Sequence, residues 1–236
     1  MNRIDPGETA DRGGSRTRKP TAEPDGGADA EAVVVPGMRD VRGTLDRAAD
    51  PVDPAACVVA APPHPEARGH RGDERLVAVS AALTARGVDC CRIDYGPWDE
   101  GRGEREDVRN AIRWAADRYD RVGVFGYSFG AGLSILAAAT VDRPVGAVAA
   151  LAPPARLGAD LDVVDAVDAL AAPLLVVAGE RDDTVAWRPV AARAGALGHE
   201  VTRLPADHFF VDRADRIGAL VADWAAGELT GQSAER

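Results

Sequence analysis

VFGYSFGAG, residues 124–132, sets one serine between two glycines directly after an apolar run. Upstream, RVGVFG (121–126) reads as a short buried strand, and downstream AGLSILAAATV (131–141) reads as a buried helix. A G-x-S-x-G between a strand and a helix fits the sharp turn termed a nucleophile elbow, in which glycines leave room for a strained serine raised above the sheet. The plainer alternative is a small residue filling a tight strand-to-helix turn. Five residues do not decide between the two, so the surrounding chain must.

Working outward, candidate strands recur at 56–61 (ACVVAA), 88–93 (VDCCRI), 145–151 (VGAVAAL), 174–178 (LLVVA) and 199–204 (HEVTRL). Helical patterns lie between them at about 73–86, 104–118, 129–141, 186–196 and 212–226. Nearly all-apolar strands alternating with amphipathic helices predict an α/β fold: three layers, α/β/α, around a mostly parallel central sheet. EAVVVPG and RDVRGTLDRA, near residues 31–48, add antiparallel strands at the N-terminal edge. Ligands of such sheets bind beyond the C-terminal ends of the strands. The loops PPHPEARG, DYGPWDEG, GYSFG, APP, GERDDTV and PADHFF each follow an expected strand, so all six converge on one rim. Between LAPP and APLLVVAGE the chain has room for one short helix, DLDVVDAVDAL, and none for a cap domain.

Residues 1–30 are rich in Gly, Pro and charge and have almost nothing to bury, which predicts a disordered tail. A single domain is expected over 31–228, with a second disordered stretch at 229–236. With 236 residues, 46% of them hydrophobic, the chain has a sizeable core to bury. A net charge of -10 without a basic stripe argues against a nucleic-acid partner. Cys57, Cys90 and Cys91 are odd in number, lie in or beside expected strands and lack C-x-x-C spacing, the pattern of reduced core cysteines. With neither a charged start followed by an apolar run nor a membrane-length segment, a cytoplasmic location without a membrane partner is the expectation. Nor is there zinc-ligand spacing or a phosphate-cradling glycine loop, and no metal or organic cofactor is expected.

A serine hydroxyl is a poor nucleophile until an imidazole takes its proton, and that imidazole works best when a buried carboxylate fixes its tautomer. Of four histidines, His208 stands in LPADHFF, after the last expected strand and before the final helix, and is the candidate base. The loop after the penultimate strand supplies Glu180, Asp182 and Asp183. Asp182 is the preferred acid because Asp183 is placed to cap the following helix. Serine, acid and histidine then follow one another in the order Ser128, Asp182, His208, each at a strand end.

On GYSFG, GERDDTV and ADHFF, the chain from about 32 to 226 resembles the small, capless α/β-hydrolases, in particular dienelactone-hydrolase-like serine hydrolases. The resemblance implies an α/β-hydrolase fold with Ser128 as nucleophile, Asp182 as triad acid and His208 as base. Dienelactone hydrolases proper use a cysteine where this chain has Ser128, which points away from dienelactone itself as substrate. APPHPEARG (61–69) stands in the place of the oxyanion loop. The Phe129 N–H, directly after the nucleophile, is the first oxyanion donor. Its partner is sought in residues 64–66; Pro65 has no N–H, which favours Glu66. His64 either shapes that loop or touches substrate. Tyr95 and Trp98, in DYGPWDEG, line a pocket or pack against the helix behind it, and Phe129 with Phe209 forms an apolar wall beside nucleophile and base.

The activity implied is hydrolysis of a small carboxylic ester or related acyl compound through an acyl-enzyme. An acyltransferase or haloperoxidase-like enzyme on the same triad, and a non-catalytic binding protein of this fold, are the alternatives. Peptides are less expected as substrates without a cap or propeller to select them. The sequence leaves acyl and alcohol preference and oligomeric state open.

Overall fold

The computed structural model describes residue 1 and residues 30–231, apart from 40 and 54. The expected tails fall almost wholly outside this range. Where they overlap it, residue 30 opens the first strand and residues 229–230 belong to the last helix, so the folded unit runs slightly past the expected bounds of 31 and 228.

Two edge strands, β1 (Ala30–Val35) and β2 (Val41–Asp46), lead into β3 (Ala56–Ala61), α1 (Glu74–Thr84), β4 (Asp89–Asp94), α2 (Arg102–Ala116) and β5 (Arg121–Tyr127). Then come α3 (Phe129–Ala138), β6 (Ala147–Leu151), a ribbon of β7 (Arg156–Gly158) and β8 (Leu161–Asp162), and α4 (Val163–Asp168). The chain closes with β9 (Leu174–Gly179), α5 (Arg188–Ala196), β10 (Glu200–Leu204) and α6 (Ala214–Thr230). Eight strands form one sheet in the order β1-β2-β4-β3-β5-β6-β9-β10. β2 runs antiparallel to both its neighbours, and from β4 to β10 every pairing is parallel.

Alternate strand residues feed opposite layers, as the two-residue period requires. Val58, Ala60, Phe125, Tyr127, Leu175 and Val177 pack beneath α1 and α6. Cys57, Val59, Ala61, Val122 and Val124 pack beneath α2 and α3, while Val148, Ala150, Val176 and Ala178 pack beneath α3, α4 and α5. Both faces of β3, β5, β6 and β9 are thus covered, which is why their sequences are nearly continuous apolar runs, whereas the edge strand β10, EVTRL, keeps exposed polar residues.

The direction of strand order reverses between β3 and β5. Sheets of this kind open a crevice at such a switch point, beyond the carboxyl ends of the strands. Here the loops leaving β3 and β5 are those carrying His64 and Ser128.

The stretch expected to hold one helix over DLDVVDAVDAL also forms the β7–β8 ribbon, which periodicity did not reveal because β8 is two residues long. Helix α4 starts only at Val163 because the Asp162 carboxylate caps it, accepting from the Asp165 N–H at 3.1 Å. Helix α2 begins two residues before the expected 104, since the Glu104 carboxylate reaches back to the Gly101 N–H at 2.8 Å.

Candidate active site

β5 ends at Tyr127 and α3 begins at Phe129, leaving Ser128 alone to turn the chain. Its φ of 54° and ψ of -116° lie outside the regions open to most L-residues, a strain of about 1–3 kcal/mol that the surrounding structure must offset. The turn is locked: the Ser128 N–H donates to the Leu151 carbonyl at 2.8 Å, and the Ser128 carbonyl accepts from the Ala131 N–H at 2.9 Å. Both motif glycines are steric necessities. A Cβ on Gly126 would lie 2.2 Å from the Gly130 carbonyl oxygen, and one on Gly130 would lie 2.3 Å from that of Ala61. The glycines therefore let α3 start hard against the end of β3.

The β9–α5 and β10–α6 loops bring the other two residues to this serine. Ser128 Oγ lies 3.0 Å from His208 Nε2, and His208 Nδ1 lies 2.8 Å from Asp182 Oδ2. Asp182 is 1% exposed and His208 6%. Asp182 Oδ1 also accepts from the backbone N–H groups of Thr184 (2.9 Å) and Val185 (3.2 Å), and the Asp182 carbonyl accepts from Trp187 Nε1 at 3.2 Å. A carboxylate has only lone pairs to offer, so the proton between it and His208 sits on Nδ1, leaving the Nε2 lone pair to face the serine hydroxyl. Asp183, the alternative acid, is exposed.

One wall of the site is aromatic. The His64 ring lies 4.6 Å from that of Trp98 and 4.7 Å from that of Phe129, between centroids. Tyr95 meets Phe129 edge-on at 5.9 Å while its hydroxyl donates to the Pro62 carbonyl at 2.7 Å. Tyr95 thus backs Phe129 and ties the β4 loop to the β3 loop. Burial pushes its phenol well above the usual tyrosine range, keeping it a donor. Phe209, on the other side, stands edge-on to the His208 ring and is 57% exposed, so it forms part of the rim.

One expected donor is corrected. The Glu66 N–H donates to His64 Nδ1 at 3.3 Å, inside the single 3₁₀ turn of Pro65–Ala67. It is engaged within its own loop. Pro62, Pro63 and Pro65 carry no N–H, and among the described residues nothing accepts from the N–H of His64.

Several residues that hold the site were not apparent beforehand. Arg39, in the turn after β1, donates to Asp107 at 2.9 Å and Glu104 at 3.2 Å, and also to the Pro97 carbonyl. Glu104 in turn accepts from the Asp99 and Gly101 N–H groups, and Asp107 from that of Gly96. Burial raises the Asp107 carboxyl above its ordinary value, opposed by the Gly96 N–H and by Arg39. Two buried acids on α2 thus hold the loop that presents Trp98. Among the described residues no group of three or more His, Cys, Asp or Glu side chains is arranged to bind a metal ion.

A mostly parallel eight-stranded sheet with helices on both faces, carrying serine, carboxylate and imidazole in that chain order on the loops after β5, β9 and β10, is the α/β-hydrolase architecture. The model of the dienelactone hydrolase family matches residues 98–229, more than half of the chain, and the protein belongs to that family of hydrolytic enzymes. The fold is similar to that of an α/β serine hydrolase homologue from Coxiella burnetii, at 23% identity and a TM-score of 0.70, over 83% of this chain and 96% of that one. An α/β serine hydrolase without lid from Xanthomonas campestris matches at 22% identity and a TM-score of 0.67, over 89% and 97% of the two chains. A dienelactone hydrolase from Anabaena variabilis matches at 22% and 0.69, over 85% and 98%. No curated protein matches the sequence.

Proposed function

We propose that the protein is a serine-dependent, carboxylesterase-like hydrolase that cleaves a small carboxylic ester or related acyl compound through an acyl-enzyme. The observation that carries this reading is the continuous line from Ser128 Oγ through both ring nitrogens of His208 to the buried Asp182, at 3.0 and 2.8 Å. As Ser128 Oγ adds to the substrate carbonyl carbon, its proton passes to His208 Nε2, and Asp182 stabilises the imidazolium. The oxyanion is held by the Phe129 N–H, which as the first residue of α3 has no acceptor within the helix, and by the His64 N–H in place of that of Glu66. The imidazolium then protonates the departing alkoxide. A water molecule, deprotonated by His208, then adds to the acyl carbon, and as the bond to Ser128 Oγ breaks the imidazolium returns that proton to Oγ, releasing the acid and restoring the free serine.

The aromatic wall of His64, Trp98 and Phe129 favours a small organic acyl or alcohol group as the partner. Among the described residues no helix is long and apolar enough to cross a membrane, and three buried free thiols fit a reducing, cytoplasmic setting as part of the same proposal.

The test compares wild type with Ser128→Ala on short activated esters and a fluorophosphonate probe. Wild type is expected to turn over without added metal and to be labelled on Ser128. The variant is expected to lose label and to fall by several orders of magnitude, since the oxyanion donors and binding alone leave about 10³–10⁴ over water. Equal turnover by both proteins would falsify Ser128 as nucleophile. Acyl transfer to an added alcohol in preference to water would identify an acyltransferase. A folded wild type neither active nor labelled would indicate a binding protein.

A further inference from the structure

The loop carrying His208 runs from β10 to α6 and contains two non-glycine residues at positive φ, Phe210 at 51° and Asp212 at 58°. Such a turn keeps its shape only where other groups hold it. Two side chains from outside the loop grip adjacent carbonyls on it. The Tyr127 hydroxyl donates to the His208 carbonyl at 3.0 Å, and Arg75 Nη1 donates to the Phe209 carbonyl at 2.9 Å.

The two grips form one unit. The Arg75 guanidinium lies over the Tyr127 ring, 4.5 Å from its centroid, and Arg75 Nε donates to Asp73 Oδ1 at 2.8 Å. Asp73 is itself fixed as the N-cap of α1, where the same oxygen accepts from the Arg75 N–H at 3.0 Å. Tyr127 immediately precedes Ser128 in the chain. The residue that sets the nucleophile's backbone therefore also touches the backbone of the base. Burial pushes the Tyr127 phenol up to about 12, so it remains a donor wherever an esterase works.

We propose that Arg75 and Tyr127 are positioning residues for the His208 base: together they fix the distance between the imidazole and Ser128 by clamping the His208 and Phe209 carbonyls. The inference rests on the triad reading given above. Asp182 sets the tilt and tautomer of the ring, whereas the Arg75–Tyr127 bracket sets where the backbone beneath it stands. Misplacing a reacting group by about 1 Å costs on the order of 100-fold in rate, so loosening the bracket acts on the chemical step rather than on substrate binding.

The experiment uses the full chain as wild type, Ser128→Ala, Tyr127→Phe, Arg75→Met and Arg86→Met, measuring ester kcat and KM, the rate of phosphonate inactivation, and Tm. Arg86 is the control: it lies in the turn that follows the same helix and pairs with Asp223 of α6 at 2.7 Å, away from the loop. Tyr127→Phe is expected to lower kcat and the inactivation rate about 10-fold, and Arg75→Met about 10- to 100-fold, with KM within about twofold. Arg86→Met is expected to keep wild-type kcat. Wild-type kcat and inactivation rate in both Tyr127→Phe and Arg75→Met, whatever their Tm, overturn the proposal, because a purely structural brace changes only Tm. Should Arg75→Met not fold, Tyr127→Phe and Arg75→Lys decide by the same readouts. A wild type that is neither labelled nor active overturns the triad reading and this inference with it. A labelled wild type with unaffected variants overturns this inference alone.

Discussion

Asp182 and Asp183 are neighbours of the same type, and the fold gives them opposite surroundings. One is buried against His208 and two amide N–H groups; the other faces solvent. Asp182→Asn keeps the shape and reverses the hydrogen bond to Nδ1, leaving the wrong tautomer. The expected loss in kcat is about 10⁴-fold with the fold retained, against less than about twofold for Asp183→Asn. Steady-state kinetics on both variants check it, and equal losses would transfer the acid's role. Gly130 makes a second case at this scale. In Gly130→Ala the new methyl meets the carbonyls of Ala61 and Pro62 at 2.3 and 2.4 Å, backbone atoms that give way only if α3 moves off β3. A lower Tm together with lost activity is expected, and a variant with wild-type values of both would contradict the packing described. Ser128, Asp182 and His208 were legible in the sequence because each stands within four residues of the end of a strand, so a linear pattern marks the loop from which the side chain emerges. Glu66 misled because its N–H looked free until the His64 ring folded back over its own loop.

The β4–α2 loop shows what a pattern of strands and helices does not carry. Its sequence, DYGPWDEG, announces a turn with two aromatics, but its shape is set by Glu104, Asp107 and an arginine 68 residues before Asp107 in the chain. No periodicity marks such a pairing, and a charged residue at a helix start reads equally well as solvated. Both carboxylates are 0% exposed, and Arg39 is the cation between them. Removing one partner of a buried ion pair costs about 3–5 kcal/mol because the other charge is left uncompensated. Arg39→Met is therefore expected to lose on the order of 3 kcal/mol in urea denaturation at neutral pH, at the lower end because Arg39 keeps 20% of its side-chain surface. Destabilisation below about 1 kcal/mol would mean that the two acids hold the loop through its amides alone. The loop presents Trp98 to the site, so the same variant is also expected to raise KM more than it lowers kcat, the reverse of the split expected for Arg75→Met.

Across the whole molecule, the alternation of strand and helix fixed the three layers, and the all-apolar composition of the middle strands marked them as covered on both sides. The position of β2 was less legible. It pairs with β4 on one side and β1 on the other, placing two antiparallel strands at the edge next to the strand that bears Cys90 and Cys91. Cys57 lies on β3, one strand further in, and all three thiols are free and fully buried. Burial raises each of them, Cys90 to about 12, so neither access nor ionisation favours reaction in the native state. Their labelling by a disulfide reagent at pH 8 then reports opening of the sheet. If the sheet opens as one cooperative unit, the three react together, at a rate that falls to near zero in water and rises with urea along the slope of global unfolding. Mass spectrometry of partly labelled protein is expected to show unmodified and triply modified chains with little between. Early accumulation of chains modified at Cys91 alone would show instead that β1 and β2 peel from β4 before the parallel core opens. In that case the turn holding Arg39 opens with them, and the clamp on the Trp98 loop is released while the triad, carried by β5, β9 and β10, stays assembled.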